Sequence, residues 1–310
     1  MRAYSRVRKG LGSMSYTPGL VSVLIPLFNR AKYIQEAINS ALSQEYDNLE
    51  IIVVDDGSTD GGDKLVEAFF DTGRVQLFRH AGGANRGQSI SLNVALSKAR
   101  GEYIAVLDSD DIFLPNKLKD QVGFLQANPD VGLVYGMGFG VDAAGKQIYN
   151  ILSEKHTETN DPNRILLDCY FHLPVGSLVR KSVYDQVGGF DESLRAGQDH
   201  DMQVRMAEVT RFGFLPVRVY CYRRHGESIS HQGLERRWRN ALIILNKAIN
   251  RYPYSKSTIR KRRAVINFRL AQALLQSKKS YWEAGWRFLY AGLLDPARAI
   301  AVVTRKEKVR

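Results

Sequence analysis

The sequence predicts an α/β protein in which helices flank a nucleotide-binding type of sheet and a helical appendage follows. Three observations support this. Short apolar runs alternate with amphipathic stretches four times within residues 21–127. Polar, turn-forming residues follow each run. From about residue 232 onward the apolar spacing is helical throughout. Such alternation is typical of parallel strands joined by right-handed helical crossovers.

The first part of the chain contains four strand and helix pairs. Each predicted strand is an apolar run, and each helix has apolar residues three and four positions apart. In chain order, the strands and their helices are 21–25 and 31–44, 49–54 and 61–70, 75–78 and 88–99, and 102–107 and 115–127. Because a helix separates successive strands, we expect parallel pairing.

The pattern becomes less regular after residue 130. Residues 131–141 and the stretch around Ile148 predict two strands joined by a turn. Further short strands are predicted at 175–179 and 213–220, and helices at 162–170, 181–187 and 199–209. The predicted domain organisation is a flexible basic tail at 1–18, one α/β domain at 19–230 and a basic helical region at 231–310.

Charge is distributed unevenly along the chain, whose net charge is +12. Residues 231–310 carry 19 Lys and Arg against four Asp and Glu, whereas residues 17–230 carry 21 against 28. A basic region joined to an acidic body favours an anionic partner. We expect an anionic membrane surface rather than nucleic acid, with a solvated basic surface as the alternative. The aromatic and apolar residues of 281–303 fit either an interfacial helix or ordinary packing.

Other features bear on the compartment. Cys169 and Cys221 are too few for a disulfide framework or a zinc site, which favours a reducing compartment. The sequence has no run of about 18 apolar residues, which disfavours a polysaccharide synthase with membrane-spanning helices. We therefore expect a cytoplasmic protein, placed peripherally at the inner face of the membrane if its C-terminal region binds lipid.

An acidic cluster, Leu107-Asp-Ser-Asp-Asp111, lies at the end of the fourth predicted strand. Ligands of open α/β sheets bind at the carboxyl ends of strands. Clustered carboxylates repel one another unless a cation, a helix end or water offsets their charge. Asp108, Ser109 and Asp110 offer oxygen ligands suited to Mg²⁺ or Mn²⁺. Capping of the following helix is the alternative.

Four segments carry distinctive residues at strand ends or helix starts. They are 21–29 (VSVLIPLFN), 51–60 (IIVVDDGSTD), 101–111 (GEYIAVLDSDD), and 188–191 (GGFD) followed by 197–205 (GQDHDMQVR). In this order and spacing they closely resemble the family 2 glycosyltransferases, over about residues 20–230. The resemblance implies a GT-A fold with a mixed sheet. It also implies inverting transfer of a sugar from a nucleoside-diphosphate sugar to an acceptor hydroxyl, in cell-surface or exopolysaccharide glycan synthesis.

The resemblance assigns nucleotide-sugar binding to residues at several strand ends. Phe28 would stack on the base, for which an aromatic face is suited. Asp56 would accept a hydrogen bond from the imino N–H of uracil or guanine. Core packing for Phe28 and helix capping for Asp56 are the alternatives. The full implied set is Pro26, Phe28, Asn29, Asp55, Asp56, Arg86, Asp108, Ser109 and Arg223.

Two of the implied contacts are basic. Asn85-Arg86-Gly87 and Asn93 match only part of a family stretch, because Leu92 stands where the family usually has Arg. Arg86 would instead offer its charge to the diphosphate or the base, with a surface salt bridge as the alternative. Arg223 would contact the diphosphate, since a guanidinium binds phosphate oxygens through paired N–H groups.

The resemblance identifies Asp108-Ser109-Asp110 as the family's Asp-x-Asp metal motif. Asp110 would be the direct ligand of Mn²⁺ or Mg²⁺, and Asp108 would lie nearer the ribose or the metal's waters. His225 would bind the metal or a phosphate. The cation would neutralise the leaving nucleoside diphosphate as a Lewis acid. Asp111 is then expected to cap the next helix.

Asp199 stands in Gly197-Gln-Asp-His-Asp201, at the start of a predicted helix. The resemblance implies that it is the general base toward the acceptor hydroxyl, although Gln198 replaces the family's common Glu. A plain helix N-cap is the alternative. His200 and Asp201 are expected at the surface or behind Asp199.

Two other functions are alternatives to the glycosyltransferase. A nucleotide-sugar-binding protein without catalysis predicts damage to the base or metal motif, and the motifs are intact. A sugar nucleotidyltransferase predicts a Gly-rich basic loop after the first strand, where this chain has Pro26-Leu-Phe-Asn-Arg30. The sequence therefore favours the transferase, with a UDP-sugar ahead of GDP- or dTDP-sugars and a saccharide or lipid-linked acceptor.

Overall fold

The computed structural model describes residues 16–168, 170–224, 226, 233–278 and 280–303. The chain divides into two compact units. The first contains the described residues of Met1–Asn160, Tyr170–Glu192 and Arg205–His225, and the second those of Asp161–Cys169, Ser193–Val204 and Gly226–Arg310. Residues 1–15 of the expected tail lie outside the described residues.

The first unit is built on a mixed sheet that has nine strands within the described residues. These are β1 (Thr17–Leu27), β2 (Leu49–Asp55), β3 (Val75–Arg79), β4 (Gly101–Val106), β5 (Ile112–Phe113), β6 (Val131–Val141), β7 (Gln147–Ile151), β8 (Ser177–Arg180) and β9 (Arg211–Arg223). Their spatial order is β3-β2-β1-β4-β8-β6-β9-β5, and β7 pairs with β6.

Most helices lie where the sequence predicts them. The strand predicted at 175–179 is wrong at its first two residues, which belong to a short helix that was not predicted. The helices of the first unit are α1 (Ala31–Leu42), α2 (Gly62–Glu67), α3 (Gln88–Lys98), α4 (Lys117–Ala127), α6 (Leu173–Gly176) and α7 (Lys181–Val187). The helices α5 (Pro162–Leu167), α9 (Leu234–Arg251), α10 (Lys256–Gln276), α11 (Tyr281–Leu294) and α12 (Pro296–Val303) belong to the second unit, in which α8 (Gln198–Ala207) also begins.

Parallel pairing among the first four strands confirms the predicted crossovers. β1 pairs with both β2 and β4, and β2 pairs with β3, all in parallel. Every residue of β2 is buried, as expected where helices cover both faces of a sheet. The sheet becomes mixed beyond β4, because β8 runs antiparallel to β4 and to β6.

The first strand is longer than its apolar run. It begins at Thr17 and continues through Pro26, which pairs with Val54 of β2. The strand predicted at 21–25 is therefore too short at both ends. The pairing of β1 with β4 extends only to Leu24, so one side of β1 needs no ladder hydrogen bond at Pro26.

The second unit has a small core of its own. Its buried members are Leu270, Ala271, Leu274 and Ala284, with Trp238, Leu242 and Phe288 packed against them. Segments from the middle of the chain join this unit. Asn240 of α9 donates from Nδ2 to the carbonyl of Ala196 (3.0 Å), and Arg262 of α10 donates to that of Leu167 (2.9 Å). No helix within the described ranges combines enough length and apolar character to cross a bilayer.

Candidate active site

The carboxyl ends of β1, β2 and β4 bring three polar segments to one edge of the sheet. The N–H of Asp56 donates to the carbonyl of Leu27 (2.7 Å), and the N–H of Leu107 donates to that of Leu24 (2.9 Å). The strand ends that carry Phe28, Asp56 and the acidic cluster are therefore adjacent, as expected for neighbouring parallel strands.

Asp55 and Asn29 hold the loop after β2 in shape. The carboxylate of Asp55 accepts hydrogen bonds from the backbone N–H groups of Gly57 (3.3 Å) and Ser58 (3.2 Å). Asn29, whose φ is 51°, donates its N–H to Oγ of Ser58 and accepts from the N–H of Thr59. Both residues thus fix the backbone conformation of the loop after β2. Their contact with a ligand stays a prediction.

Asp56 ties the loop after β2 to the Gly-rich loop that precedes α3. Its Oδ1 accepts from the N–H of Arg86 (2.6 Å), and its Oδ2 accepts from the N–H of Gly87 (2.9 Å). The helix cap alternative is wrong, because α2 starts after Gly61 without a side-chain cap. Oδ1 of Asp56 also accepts from the N–H of Gly87 (3.0 Å). A carboxylate oxygen has two lone pairs, so Oδ2 of Asp56 retains capacity for a nucleobase N–H.

Gly57 lets these two loops come together. Its φ is +80°, and a Cβ there would lie 2.4 Å from the carbonyl oxygen of Gly83. Only glycine fits both the backbone conformation and the space. The sequence analysis did not predict this contact, because nothing in the sequence of either loop indicates how close the two loops lie.

Phe28 and Arg86 are both accessible. Phe28 is 41% exposed, so the core-packing alternative for it is wrong. The Arg86 side chain is exposed, and within the described part of the chain it has no carboxylate partner, which disfavours the surface salt bridge. Pro26, in contrast, is buried inside β1, and its role in binding stays a prediction.

The Asp-Ser-Asp segment is held by neighbouring polar side chains. Oδ1 of Asp108 accepts from Nε2 of Gln88 (2.8 Å), and Oδ2 of Asp110 accepts from Nε of Arg30 (2.9 Å). Ser109 is buried. Sequence reasoning did not single out Arg30 or Gln88. Arg30 directly follows the first motif, which is a signal that could have pointed to it.

Asp111 is the most deeply buried carboxylate of the acidic cluster, at 1% exposure. Its Oδ1 accepts from the N–H of Arg223 (2.8 Å). Burial, followed by the charges of Asp110 and Asp108, raises the pKa of Asp111 well above its usual value. The prediction that Asp111 caps the next helix is wrong, because α4 starts at Lys117 and the backbone of β9 takes up this carboxylate instead.

The acidic cluster fits a divalent cation. Oδ2 of Asp111 is buried and has no hydrogen-bond partner among the described residues. Burial is the main cause of the raised pKa of Asp111, and the charges of Asp110 and Asp108 add to it. A hard cation bound to these oxygens would offset the repulsion among the three carboxylates. Within the described ranges no three His, Cys, Asp or Glu side chains already form a metal cage. His225 lies outside the described residues.

Arg223 joins the acidic cluster to α1. Its Nη2 donates to Oε2 of Glu36 (2.7 Å), its Nε donates to the carbonyl of Asp110 (3.2 Å), and its guanidinium lies over the ring of Tyr33. The side chain is buried and already paired with a carboxylate. A diphosphate contact by Arg223 therefore stays a prediction.

Asp199 lies in the second unit, inside the first turn of α8. Because that helix starts at Gln198, the N-cap alternative for Asp199 is wrong. His200 and Asp201 are both buried, so of their two expected positions the surface one is wrong and the one behind Asp199 stays a prediction. Nη2 of Arg262 donates to Nε2 of His200 (2.9 Å), and burial and this cation hold the pKa of His200 well below its usual range. A neutral imidazole thus anchors the turn that carries Asp199.

Known proteins similar to this chain were found by sequence and by structure. A curated relative, an uncharacterized glycosyltransferase of Rickettsia bellii, is 34% identical over 211 residues, which are 67% of this chain and 30% of the relative. The chain thus spans about a third of that protein's length.

Two solved structures share the fold. S. aureus TarS in complex with UDP-GlcNAc has a TM-score of 0.67 at 22% identity, covering 88% of this chain and 80% of TarS. The mannosyltransferase PcManGT of Pyrobaculum calidifontis, in complex with GDP-Man and Mn²⁺, has a TM-score of 0.60 at 21% identity, covering 91% of this chain and 80% of PcManGT.

These likenesses confirm the GT-A type of fold that the strand-end motifs implied. The family model described as Glycosyl transferase family 2 matches residues 22–188, more than half of the chain. The matched stretch includes the ends of β1, β2 and β4 and therefore the whole acidic cluster. The chain belongs to glycosyltransferase family 2.

Proposed function

We propose that this protein is an inverting glycosyltransferase that moves a sugar from a nucleoside-diphosphate sugar to an acceptor hydroxyl. The acidic cluster carries the proposal. Asp108, Asp110 and the buried Asp111 lie at the sheet edge, and Oδ2 of Asp111 has no hydrogen-bond partner among the described residues. A cation-bound diphosphate would satisfy such a cluster.

The donor's base would bind beside this cluster. Phe28 offers an exposed aromatic face for stacking, and Asp56 offers acceptor capacity for an imino N–H. Structural neighbours in complex with UDP-GlcNAc and GDP-Man support a nucleotide-sugar donor. We propose UDP ahead of GDP or dTDP as the nucleotide.

Asp110 and Asp108 would hold Mn²⁺ or Mg²⁺. The cation would act as a Lewis acid that neutralises negative charge on the leaving diphosphate. The structural neighbour in complex with Mn²⁺ supports this proposal. Asp111 would add negative charge behind these two residues. Asp110 would then share its carboxylate between Arg30 and the bound ion.

Asp199 would act as the general base. Its carboxylate would take the proton of the acceptor hydroxyl, the oxygen would form a bond to the anomeric carbon, and the bond to the diphosphate would break. A single displacement inverts the anomeric configuration and needs no covalent enzyme intermediate. Such assistance contributes about 10²–10⁴-fold to the rate. We propose a saccharide or lipid-linked acceptor and a role in cell-surface or exopolysaccharide glycan synthesis, with the enzyme acting in the cytoplasm.

The deciding experiment combines donor binding with product analysis. We expect one of the UDP-, GDP- or dTDP-sugars to raise the unfolding temperature, and to do so more strongly with Mn²⁺ than with EDTA. NMR of the product, or of the sugar released to water, should then show the inverted anomer. A retained configuration would refute the inverting mechanism. Binding without turnover on a saccharide panel would favour the non-catalytic binding protein, and release of pyrophosphate from a sugar phosphate and a nucleoside triphosphate would favour the nucleotidyltransferase.

A further inference from the structure

Helix α11 exposes its large apolar side chains. Trp282, Trp286, Leu289 and Leu293 are 88%, 61%, 56% and 69% exposed. We call these four side chains the apolar stripe. Their spacing of four, three and four residues places them along one face of the helix. A continuous exposed apolar face of this kind marks an interaction surface more often than isolated exposed residues do.

The opposite face of α11 packs through small residues. Ala284 and Ala291 are buried, and Ala284 belongs to the core that Leu270 and Leu274 of α10 form. Phe288 packs against this core and contacts Phe268 edge to face. The packing of the second unit therefore uses the small face, and the apolar stripe contributes nothing to that core. Ordinary packing, one of the two alternatives that the sequence left open, does not account for the apolar stripe.

Basic side chains flank the apolar stripe at both ends. Lys278 is exposed just before the start of α11. At the other end Arg260 donates from Nη1 to the carbonyl of Leu294, and Arg298 is exposed on α12. Tryptophan at the level of lipid headgroups, with Lys and Arg reaching toward phosphate, is the composition of a helix that lies in a membrane interface.

The net charge of residues 231–310 distinguishes between possible partners of the apolar stripe. Residues 231–310 carry 19 Lys and Arg against four Asp and Glu. A second copy of the same basic region would meet like charge, whereas an anionic lipid surface attracts it. We propose that the apolar stripe docks α11 onto the surface of an anionic lipid bilayer, with the helix axis parallel to the membrane plane.

Vesicle flotation of the full chain, without donor or metal, tests the docking. We expect flotation with vesicles that contain about 30% anionic phosphatidylglycerol, weakening as salt screens the basic residues, and little flotation with neutral phosphatidylcholine alone. Replacing both tryptophans (W282Q/W286Q) should lower the partition coefficient about tenfold or more. Brominated lipids should quench the tryptophan fluorescence of the wild type and spare that of the variant.

A matched variant controls for loss of apolar surface elsewhere. Ile243 on α9 and Leu275 on α10 are 44% and 40% exposed, so I243Q/L275Q removes two exposed apolar side chains outside the apolar stripe. It should float like the wild type, and both variants should keep the wild-type urea midpoint. The proposal is overturned if the wild type stays unbound at low salt or if both variants float equally. A dimer that W282Q/W286Q dissociates, without vesicle binding, would instead assign the apolar stripe to a second copy. Because no donor is present, these outcomes are independent of the proposed transferase activity.

Discussion

Arg30 donates a hydrogen bond from Nε to Oδ2 of Asp110 across 2.9 Å, and the ion-paired side chains are only 11% and 18% exposed. Asp110 is the carboxylate that the family motif assigns to the metal. A protein cation therefore lies against the oxygen that a divalent ion would use. A bound divalent ion would compete with Arg30 for Asp110, so we expect Arg30 to lower the affinity of the acidic cluster for metal.

Replacing Arg30 by Gln should strengthen metal binding. The variant R30Q removes the positive charge and keeps a hydrogen-bonding amide. We expect Mn²⁺ to bind about fivefold more tightly in the absence of nucleotide, since a partly exposed ion pair is worth about 1 kcal/mol. Electron paramagnetic resonance of free Mn²⁺ measures the dissociation constant. R79Q, which breaks the exposed pair of Arg79 with Glu67, is the control. Equal Mn²⁺ affinity in R30Q and wild type would contradict the competition.

The stability of metal-free protein should fall with rising pH because of Asp111. Its pKa is raised in the folded state, so the folded protein holds this proton more tightly than the unfolded chain does. As pH rises from the ordinary carboxyl value to the raised one, the folded state loses about 1.4 kcal/mol per pH unit. Asparagine keeps an oxygen for the N–H of Arg223 and does not ionise.

The variant D111N should therefore be more stable than the wild type near neutral pH, and the gap should close toward about pH 4. Urea unfolding in EDTA at several pH values measures the difference. The exposed Asp71 supplies the control D71N, which should follow the wild type at every pH. A gap between D111N and wild type that does not change with pH would show that ionisation of Asp111 has no part in it.

Gly57 should not tolerate a side chain. The variant G57A combines a positive φ with a Cβ 2.4 Å from the carbonyl oxygen of Gly83, and we expect a loss of about 2–4 kcal/mol together with weaker nucleotide binding. Gly61 has the same φ of +80° with nothing near its Cβ, so G61A isolates the backbone cost of about 1 kcal/mol. Urea unfolding and calorimetric titration with UDP measure both effects. Equal losses in the two variants would mean that the loop contact is unimportant.

Asp199 should affect turnover and leave donor binding unchanged. We expect D199N to lower kcat by about 10²–10⁴-fold, the range of general-base assistance. The dissociation constant of the donor should stay at its wild-type value, as measured by calorimetry. The exposed Asp168 provides the control D168N, which should turn over normally. Full activity in D199N would remove Asp199 as the base.

Much of the fold could be predicted because the periodicities of strand and helix are strong in the first half of the chain. The predicted helix at 31–44 and the observed Ala31–Leu42 differ by two residues at one end. The mixed character of the sheet is harder to see in the pattern. Ser177–Arg180 is only four residues long, and its antiparallel place beside β4 depends on pairing between distant parts of the chain.

The candidate site was predictable where strand ends carry it and not where distant residues meet. The adjacency of Phe28, Asp56 and Asp108 follows from parallel strands. The environment of Asp111 does not, because its partner Arg223 lies 112 residues away in sequence. For the same reason the sequence does not predict the hydrogen bond of Gln88 to Asp108 or that of Arg223 to Glu36, which join residues 20 and 187 positions apart.

The position of Arg223 also bears on the order in which the molecule folds. Its contacts with Asp111 and Glu36 close loops of 112 and 187 residues. Closing such loops costs chain entropy that local contacts avoid, so we expect these bonds to form late in folding. During synthesis the ribosome exposes the three carboxylates of residues 108–111 long before the residue that clamps them. The acidic cluster therefore acquires its final shape only once residue 223 has emerged and β9 has paired with β6, which makes the formation of this edge a late event in biosynthesis.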